Sequence, residues 1–293
     1  MLLIQKLEYD ANLTTNEKVV AHYLLENQHR IQEITISEIS KATFTSLSTT
    51  VRLAQKCGYQ GWKKMKKALL DEIQYLKKEP ELVDANYPFK KGDTIYKIAK
   101  NMASLLSKSI MDTYQLLNHD QFQKAIQLIR ESEKICIYGI THPISVAYDF
   151  QLKMRTIGKQ VTLAKEIDDF EYASYYASKD TCSIFISYSG ETIQLVDSLK
   201  RVKSKGCPIV VITSIGDNTF SKLADAWLPI CTKEKLDNKI ATFSSNISIH
   251  YLLDLIFACI FEQDYDHYVQ VKKELAKVFD FERFSTVALL NDK

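Results

Sequence analysis

The chain has no long apolar run and few of the residues that break regular structure. No stretch approaches 18 consecutive apolar residues, so the sequence predicts no membrane span. Only eight glycines and five prolines occur in 293 residues, without internal repeats or low-complexity segments. The apolar start meets Glu8 and Asp10 too early for a secretion signal, so we expect a cytoplasmic protein.

Patterns typical of disulfides and metal sites are also missing. The six cysteines are widely spaced, never form C-x-x-C, and partly lie in apolar runs such as "KICIYGI", so we expect small buried hydrophobic residues. The six histidines suggest no ligand pair, and we predict neither a metal site nor a cofactor. The composition, 46% hydrophobic and 25% charged, is that of a soluble globular chain long enough for two domains.

Charge is distributed unevenly within the first 70 residues. Residues 41–70 carry seven lysines and arginines and no acidic residue, whereas residues 1–40 carry three basic and six acidic residues. The net charge of the whole chain is only +2, so this asymmetry is local. It is typical of a surface that binds a polyanion. A solvated lysine face is the alternative, and the "KKMKK" run by itself favours it.

Periodicity divides the chain into two domains. Residues 1–78 are predicted to be helical throughout, and residues 79–92, with two prolines and a glycine, are predicted to be a linker. From 93 to 293, helices alternate with short strands that are apolar on both faces. This alternation predicts an all-α domain followed by a doubly wound α/β domain, in which helices cover both sides of a parallel sheet.

A helix-turn-helix plan is visible near residue 46. A short helix, a tight turn and a second helix capped by a serine would place the start of the second helix in the DNA major groove. Short hydroxyls and an arginine suit bases and phosphates there, and the lysines beyond suit flanking phosphates. A purely structural helical bundle is the alternative. The predicted DNA-binding residues are Ser46, Ser48, Thr49, Thr50, Arg52, Lys56, Lys63 and Lys64.

Hydroxyls also cluster in "ISYSGET", where an apolar strand gives way to a helix. In an open parallel sheet, ligands bind at the carboxyl ends of the strands, and helix N-termini there favour anions. Ser187, Ser189 and Thr192 would add neutral donors, and Gly190 would let the backbone approach closely. The segment is therefore a candidate phosphate site. An ordinary capped turn is the alternative.

Both segments resemble known domains. The string from "LTTNEK" through "SLSTTVRLAQKCGYQG" is similar to the N-terminal domain of RpiR-type bacterial transcriptional regulators. "SYSGET" and "SSNISIHYLLD" resemble the sugar isomerase (SIS) domain, over about residues 93–265. The resemblance implies an operator in double-stranded DNA, a phosphorylated sugar as effector, and a homodimer or dimer of dimers. The effector-binding residues that it implies are Thr141, His142, Ser187, Ser189, Gly190, Glu191 and Thr192.

The first loop of the second domain departs from the family pattern. SIS domains have G-x-G-x-S there, whereas "YGITHPIS" has Thr141 at the second glycine and Pro143 at the serine. Proline has no N–H to donate, so Thr141, His142 or Ser145 would have to substitute. Asn246 stands where the family often has arginine.

Three hypotheses therefore stay open. The chain is a ligand-responsive transcription factor, a phosphosugar isomerase with an accessory helical domain, or a DNA-binding protein whose second domain only dimerises. An isomerase needs a base beside the substrate carbon. The candidates, Glu166, Glu171, His142 and His250, lie in no specific pattern. We therefore expect a regulator of sugar-metabolism genes and no enzyme activity.

Overall fold

The computed structural model describes residues 3–9, 13–77 and 83–278. Within the described part of the first 77 residues, five α-helices form one unit, in agreement with the helical region predicted for residues 1–78. The five are α1 (Leu3–Tyr9), α2 (Thr15–Glu26), α3 (Ile36–Thr43), α4 (Leu47–Lys56) and α5 (Trp62–Lys77), with a 3-10 turn at Gln28–Arg30.

The core of this unit follows the helical spacing of the apolar residues. Met65, Leu69 and Ile73 recur every three or four positions along α5 and are all buried. They pack in one cluster with Leu24 of α2 and Leu53 of α4. The helices therefore join because each contributes one apolar stripe, and the predicted helical domain is confirmed.

The predicted linker is wrong for residues 83–92, which pack against the second domain. Val83 and Ala85 are buried beside Leu105. Asn86 accepts a hydrogen bond through its carbonyl oxygen from the N–H of Ile240, at 2.9 Å. Composition alone suggested a loop, but two apolar side chains gain enough burial to order it. Residues 79–82 lie outside the described residues.

The second domain alternates strands and helices as predicted. In the part described from residue 83 onward it has eight α-helices and five strands, and residues 279–293 lie outside the described part. The elements are α6 (Ile95–Leu116), α7 (His119–Glu131), β1 (Lys134–Tyr138), α8 (His142–Arg155), β2 (Gln160–Ala164), α9 (Ile167–Tyr176), β3 (Thr181–Ser187), α10 (Ile193–Ser204), β4 (Ile209–Ser214), α11 (Thr219–Leu223), β5 (Ala226–Ile230), α12 (Phe243–Glu262) and α13 (Tyr265–Val278).

The five strands form one parallel sheet in the order β2-β1-β3-β4-β5. Ile137 in β1 lies opposite Leu163 in β2 and Ile184 in β3. Successive side chains of a strand point to opposite faces, and both faces here are apolar. Ile137 and Ile184 pack in a cluster with residues of α7, α8 and α12, whereas Tyr138 and Phe185 pack with residues of α10 and α11 on the other face. The sheet therefore has helices on both sides, as predicted.

Helix α12 and the cysteines also belong to this core. By length and composition alone α12 is apolar enough to cross a membrane, but eight of its residues are buried in the domain, and five of these, including Leu252 and Ile256, pack in one cluster with the sheet. Five of the six cysteines, all within the described residues, are buried and Cys259 is partly buried. Burial raises the pKa of the Cys136 thiol to about 11. The prediction that the cysteines serve as small apolar residues agrees with this burial.

Candidate functional site

A cavity opens at the carboxyl edge of the sheet, between the loops that follow β1 and β3. The strand order reverses at this pair of strands, which is where open α/β sheets bind ligands. The cavity has a volume of about 280 Å³, near the lower end of the usual size of small-molecule sites, about 300–1,000 Å³. It is lined by residues 140–143, 186–189, Thr192, Leu195, Leu236, Thr242, Ser245, Asn246 and Ile249.

The β3–α10 loop supplies hydroxyl groups to one wall of the cavity, as the sequence predicted. Ser187, Ser189 and Thr192 all line it. The Oγ of Ser187 lies 2.9 Å from the Oγ1 of Thr192, and it also accepts a hydrogen bond of 3.2 Å from the N–H of Gly190. Thr192 is the N-cap of α10, so the unpaired backbone N–H groups of the first helical turn follow directly. This wall can hold an anion with neutral donors.

Gly190 and Glu191 contact the β4–α11 loop. A Cβ on Gly190 would lie 2.3 Å from the Oδ1 of Asn218, so the glycine allows the β3 and β4 loops to touch. The carboxylate of Glu191 accepts hydrogen bonds from the N–H and hydroxyl of Thr219, at 2.8 and 2.7 Å. Neither residue lines the cavity. Their role in binding the effector therefore stays a prediction, and the contacts that the structure shows for them are with Asn218 and Thr219 of the β4–α11 loop.

The β1–α8 loop forms the facing wall, with Thr141 in an unusual backbone conformation. Thr141 has φ 57° and ψ −116°, a region that glycine occupies readily and other residues avoid. Thr141, His142 and Pro143 line the cavity. Ser145 does not, because its hydroxyl donates to the carbonyl of His142 at 2.7 Å. Of the three predicted substitutes for the missing glycine and serine, only Thr141 and His142 reach the cavity.

A third wall comes from residues that the sequence did not indicate. The hydroxyl of Tyr188 donates to the carbonyl of Glu234 at 2.6 Å and accepts from the N–H of Glu234 at 3.0 Å. Burial, together with the nearby Glu234 carboxylate, holds the pKa of Tyr188 well above its ordinary value. The Glu234 carboxylate in turn accepts from the N–H groups of Ser244 and Ser245, at 2.5 and 3.1 Å. A buried carboxylate thus already occupies the N-terminus of α12, so α10 is the better place for a bound anion.

The cavity wall is almost uncharged. Within the described part of the chain no lysine, arginine or carboxylate lines it, and its ionisable side chains are the imidazole of His142 and the phenol of Tyr188. The other candidate bases lie elsewhere: Glu166 caps α9, and Glu171 forms an ion pair of 2.7 Å with Arg201. The arrangement therefore offers hydroxyl donors and apolar surface but only one imidazole that could act as a base.

His250 lies in a separate polar cluster on the surface shared by α8 and α12. It was expected to pack on an apolar helix face, but its Nε2 lies 3.6 Å from Asp149 and 3.4 Å from Asp254. These three residues bring potential metal ligands within 4.8 Å of one another, which the sequence analysis did not foresee. The Lys153 ammonium lies 2.6 Å from Asp149 and 2.5 Å from Asp254, so a cation of the chain itself neutralises the aspartates.

The predicted DNA-reading helix is α4, and its first turn is only partly accessible. Ser46, Ser48 and Arg52 are exposed, and Ser46 is the N-cap of the helix. Thr49 and Thr50 are 2% and 0% exposed, because they lie on the side of α4 that faces the helical core. The prediction that these two threonines contact DNA is therefore wrong. Every third or fourth residue of a packed helix must face inward, and this register selects Thr49, Thr50 and Leu53.

The basic residues around α4 differ in what they contact. Lys63 and Lys64 are exposed at the start of α5. The ammonium of Lys56 lies 2.8 Å from the Glu17 carboxylate, which is 3% exposed. Burial alone would raise the pKa of Glu17, but hydrogen bonds from Lys56 and Thr14 outweigh it and lower the pKa. Lys56 thus helps to hold α4 on α2, in addition to the predicted role at phosphates.

Comparisons with known proteins match two separate domain models to this chain. The model of the helix-turn-helix domain of the rpiR family matches residues 1–75, and that of the SIS domain matches residues 128–258. An uncharacterized HTH-type transcriptional regulator of Caldanaerobacter subterraneus is 23% identical over 95% of this chain and 96% of its own length. One of Thermotoga maritima is 28% identical over 90% of this chain and 93% of its own.

A solved structure shares the fold along nearly the whole chain. The NanR protein of Vibrio vulnificus, complexed with ManNAc-6P, has a TM-score of 0.61 and 23% identity, covering 94% of this chain and 97% of its own. The fold of this chain is therefore shared along nearly its whole length with a solved structure. With a helix-turn-helix domain of the rpiR family followed by a SIS domain, the chain belongs to the RpiR-type transcriptional regulators.

Proposed function

We propose that this protein is a DNA-binding transcriptional regulator of sugar-metabolism genes whose affinity for its operator changes when a phosphorylated sugar occupies the cavity. The observation that carries the proposal is the cavity itself, which lies at the strand-order reversal and opens onto Ser187, Ser189 and Thr192. The same chain presents Arg52 on an exposed helix with no acidic residue between positions 41 and 70. The relative in complex with ManNAc-6P supports this class of ligand.

The walls of the cavity suit a small sugar ester. The phosphate is held by the hydroxyls of the β3–α10 loop and the first backbone N–H groups of α10. Asn246 and Thr242 offer hydrogen bonds to sugar hydroxyls, and Leu236 and Ile249 cover the apolar side of the ring. Neutral donors attract a phosphate less strongly than lysines would, so the ligand exchanges readily with solution.

The two domains touch close to the cavity. Asn218, which contacts Gly190, follows Asp217, and a Cβ on Gly58 would lie 2.8 Å from the Oδ2 of Asp217. Gly58 directly follows the C-cap of α4. A change in the effector loop therefore has a short route to the DNA-reading helix. A tenfold to hundredfold change in operator affinity needs only about 1.4–2.8 kcal/mol of coupling.

Two copies of the chain are needed to span two half-sites one turn of DNA apart. Helix α6 carries Tyr96 and Met111, which are 90% and 51% exposed, and Tyr114, which is 57% exposed. Exposed apolar side chains on one helix are typical of an interface between subunits. We place the dimer contact on α6. Light scattering tests this placement. If the dimer contact lies on α6, Tyr114→Glu should halve the molar mass, and an unchanged dimer mass would exclude this surface.

The cavity is proposed as a sensor and not as a catalyst. Aldose–ketose isomerisation moves a proton between adjacent carbons and needs a base beside the substrate. Among the described residues no carboxylate and only one imidazole, that of His142, lines the cavity, and the hydroxyl of Tyr188 is engaged with the backbone of Glu234. Incubation of the protein with aldose phosphates should give no ketose product, and turnover that Ser189→Ala abolishes would reassign the chain as an isomerase.

The proposal is tested by ligand binding and DNA binding in the same preparation. A panel of sugar phosphates is screened for an increase in Tm, and the active member is then titrated into operator binding measured by fluorescence anisotropy. We expect that ligand to change operator affinity at least tenfold, and Ser189→Ala to weaken the ligand without changing basal DNA binding. If no member raises the Tm and Ser189→Ala leaves regulation intact, the second domain only dimerises.

A further inference from the structure

The turn between α3 and α4 holds an aromatic residue that folding does not explain. Phe44 is 97% exposed and has φ 51°, in the left-handed region that a bulky residue seldom adopts. Its N–H and that of Thr45 both donate to the carbonyl of Ser40, which imposes this conformation. Glycine would adopt it at the lowest cost. The phenyl ring therefore sits where it strains the backbone and buries almost nothing.

A second apolar side chain is exposed at the same end of α4. Leu47 is the first residue of the helix and is 51% exposed. Between the two lies the cap residue Ser46, and Ser48 and Arg52 follow on the exposed side of α4. The turn and the first residue of α4 therefore expose two apolar side chains next to the serine hydroxyls and Arg52. In the helix-turn-helix geometry, this end of the second helix is the part that enters the major groove.

Only one group on the major-groove edges of the bases is apolar, the 5-methyl of thymine. Building on the DNA-binding function proposed above, we propose that Phe44 and Leu47 are specificity-determining residues that contact thymine 5-methyl groups in the major groove of the operator. The absence of acidic residues from positions 41–70 of the sequence favours DNA over an acid-bearing protein surface as the occupant.

The experiment begins with operator sequences selected from random duplexes by the purified full-length protein. Each thymine of the selected site is then replaced by uracil, which lacks only the 5-methyl group and keeps every hydrogen-bonding atom. We expect one or two replacements per half-site to weaken binding about fourfold each, as the loss of one buried methyl predicts. The remaining replacements should leave the affinity unchanged.

The variant Phe44→Gly tests whether Phe44 makes the methyl contact. It should bind the thymine operator more weakly than the native protein and lose no further affinity at one of the sensitive uracil positions. Its Tm should not fall, because glycine relieves the positive φ. Its salt dependence should match that of the native protein, because no charge is removed. Val19→Ala is the control, because it trims an apolar residue that is 44% exposed on α2. It should leave the affinity for the operator and the Tm unchanged.

The possible results separate the failure of this inference from that of the proposed function. If uracil is tolerated at every position, or weakens Phe44→Gly as much as the native protein, methyl contact by Phe44 is refuted. A loss of affinity in Phe44→Gly without any uracil effect would instead indicate a ring wedged between base pairs, and would also overturn the inference. If the protein selects no sequence at all, the DNA-binding function itself fails.

Discussion

Replacing Thr141 by glycine should stabilise the protein. Thr141 has φ 57° and ψ −116° at the entrance to α8, and its side chain makes no capping hydrogen bond there. A non-glycine residue held in such a region costs about 1–3 kcal/mol. Glycine removes that cost but adds about 0.5–1 kcal/mol of backbone entropy that folding must overcome. We therefore expect Thr141→Gly to gain about 0.5–2 kcal/mol.

The gain is measured by thermal unfolding of the ligand-free protein, followed by calorimetry and circular dichroism. For a domain of this size, 1 kcal/mol shifts Tm by about 2–4 °C, so Tm should rise by about 1–8 °C. Thr94→Gly is the matched control, because Thr94 caps α6 with ordinary angles, φ −72° and ψ 156°, and its Oγ1 accepts from the N–H of Lys97. That variant should lose stability. A fall in Tm for Thr141→Gly as well would refute the strain at Thr141.

Three further predictions follow from contacts elsewhere in the chain. Gly190→Ala should destabilise the second domain by more than about 2 kcal/mol, because its Cβ would lie 2.3 Å from Asn218 at a positive φ; an unchanged Tm would contradict this. Glu17→Gln should cost about 1–2 kcal/mol at pH 7. Because the folded pKa of Glu17 is lowered, its contribution is complete above the ordinary pKa of 4.5 and is lost as the pH falls through the folded value, so in urea unfolding the stabilities of the two proteins should converge as the pH falls below 4.5. Arg52→Ala should weaken operator binding about fivefold to hundredfold with an unchanged circular dichroism spectrum, and an unchanged affinity would remove Arg52 from the interface.

Much of the fold could be predicted because it depends on local patterns. The five strands, of five to seven residues, read as mostly apolar runs, since strands covered on both faces need apolar side chains at most positions. The apolar spacing in α5 likewise predicted its buried face. Helix α13, for which no residue is buried, was missed. A helix without a strong apolar stripe gives little periodic signal.

The candidate cavity shows where sequence reasoning stops. The loop 187–192 could be recognised as a strand end because its hydroxyls precede a helix, and the cavity does open onto it. Tyr188 and Glu234, which join that loop to α12, are separated by 46 residues, and no local spacing relates them. The burial of Thr49 and Thr50 depends on how α4 is rotated against its neighbours, a quantity that hydroxyl side chains do not reveal.

By itself, the sequence determined the order of helices and strands, the parallel sheet and the strand end where hydroxyls gather, because these depend on propensities and periods along a short stretch of chain. Only the tertiary structure decided which of those side chains face solvent. It turned Glu191 toward Thr219, paired Lys56 with Glu17 and left Phe44 exposed in its turn. These outcomes depend on contacts between residues far apart in the sequence, and such contacts form only when the helices and strands pack together.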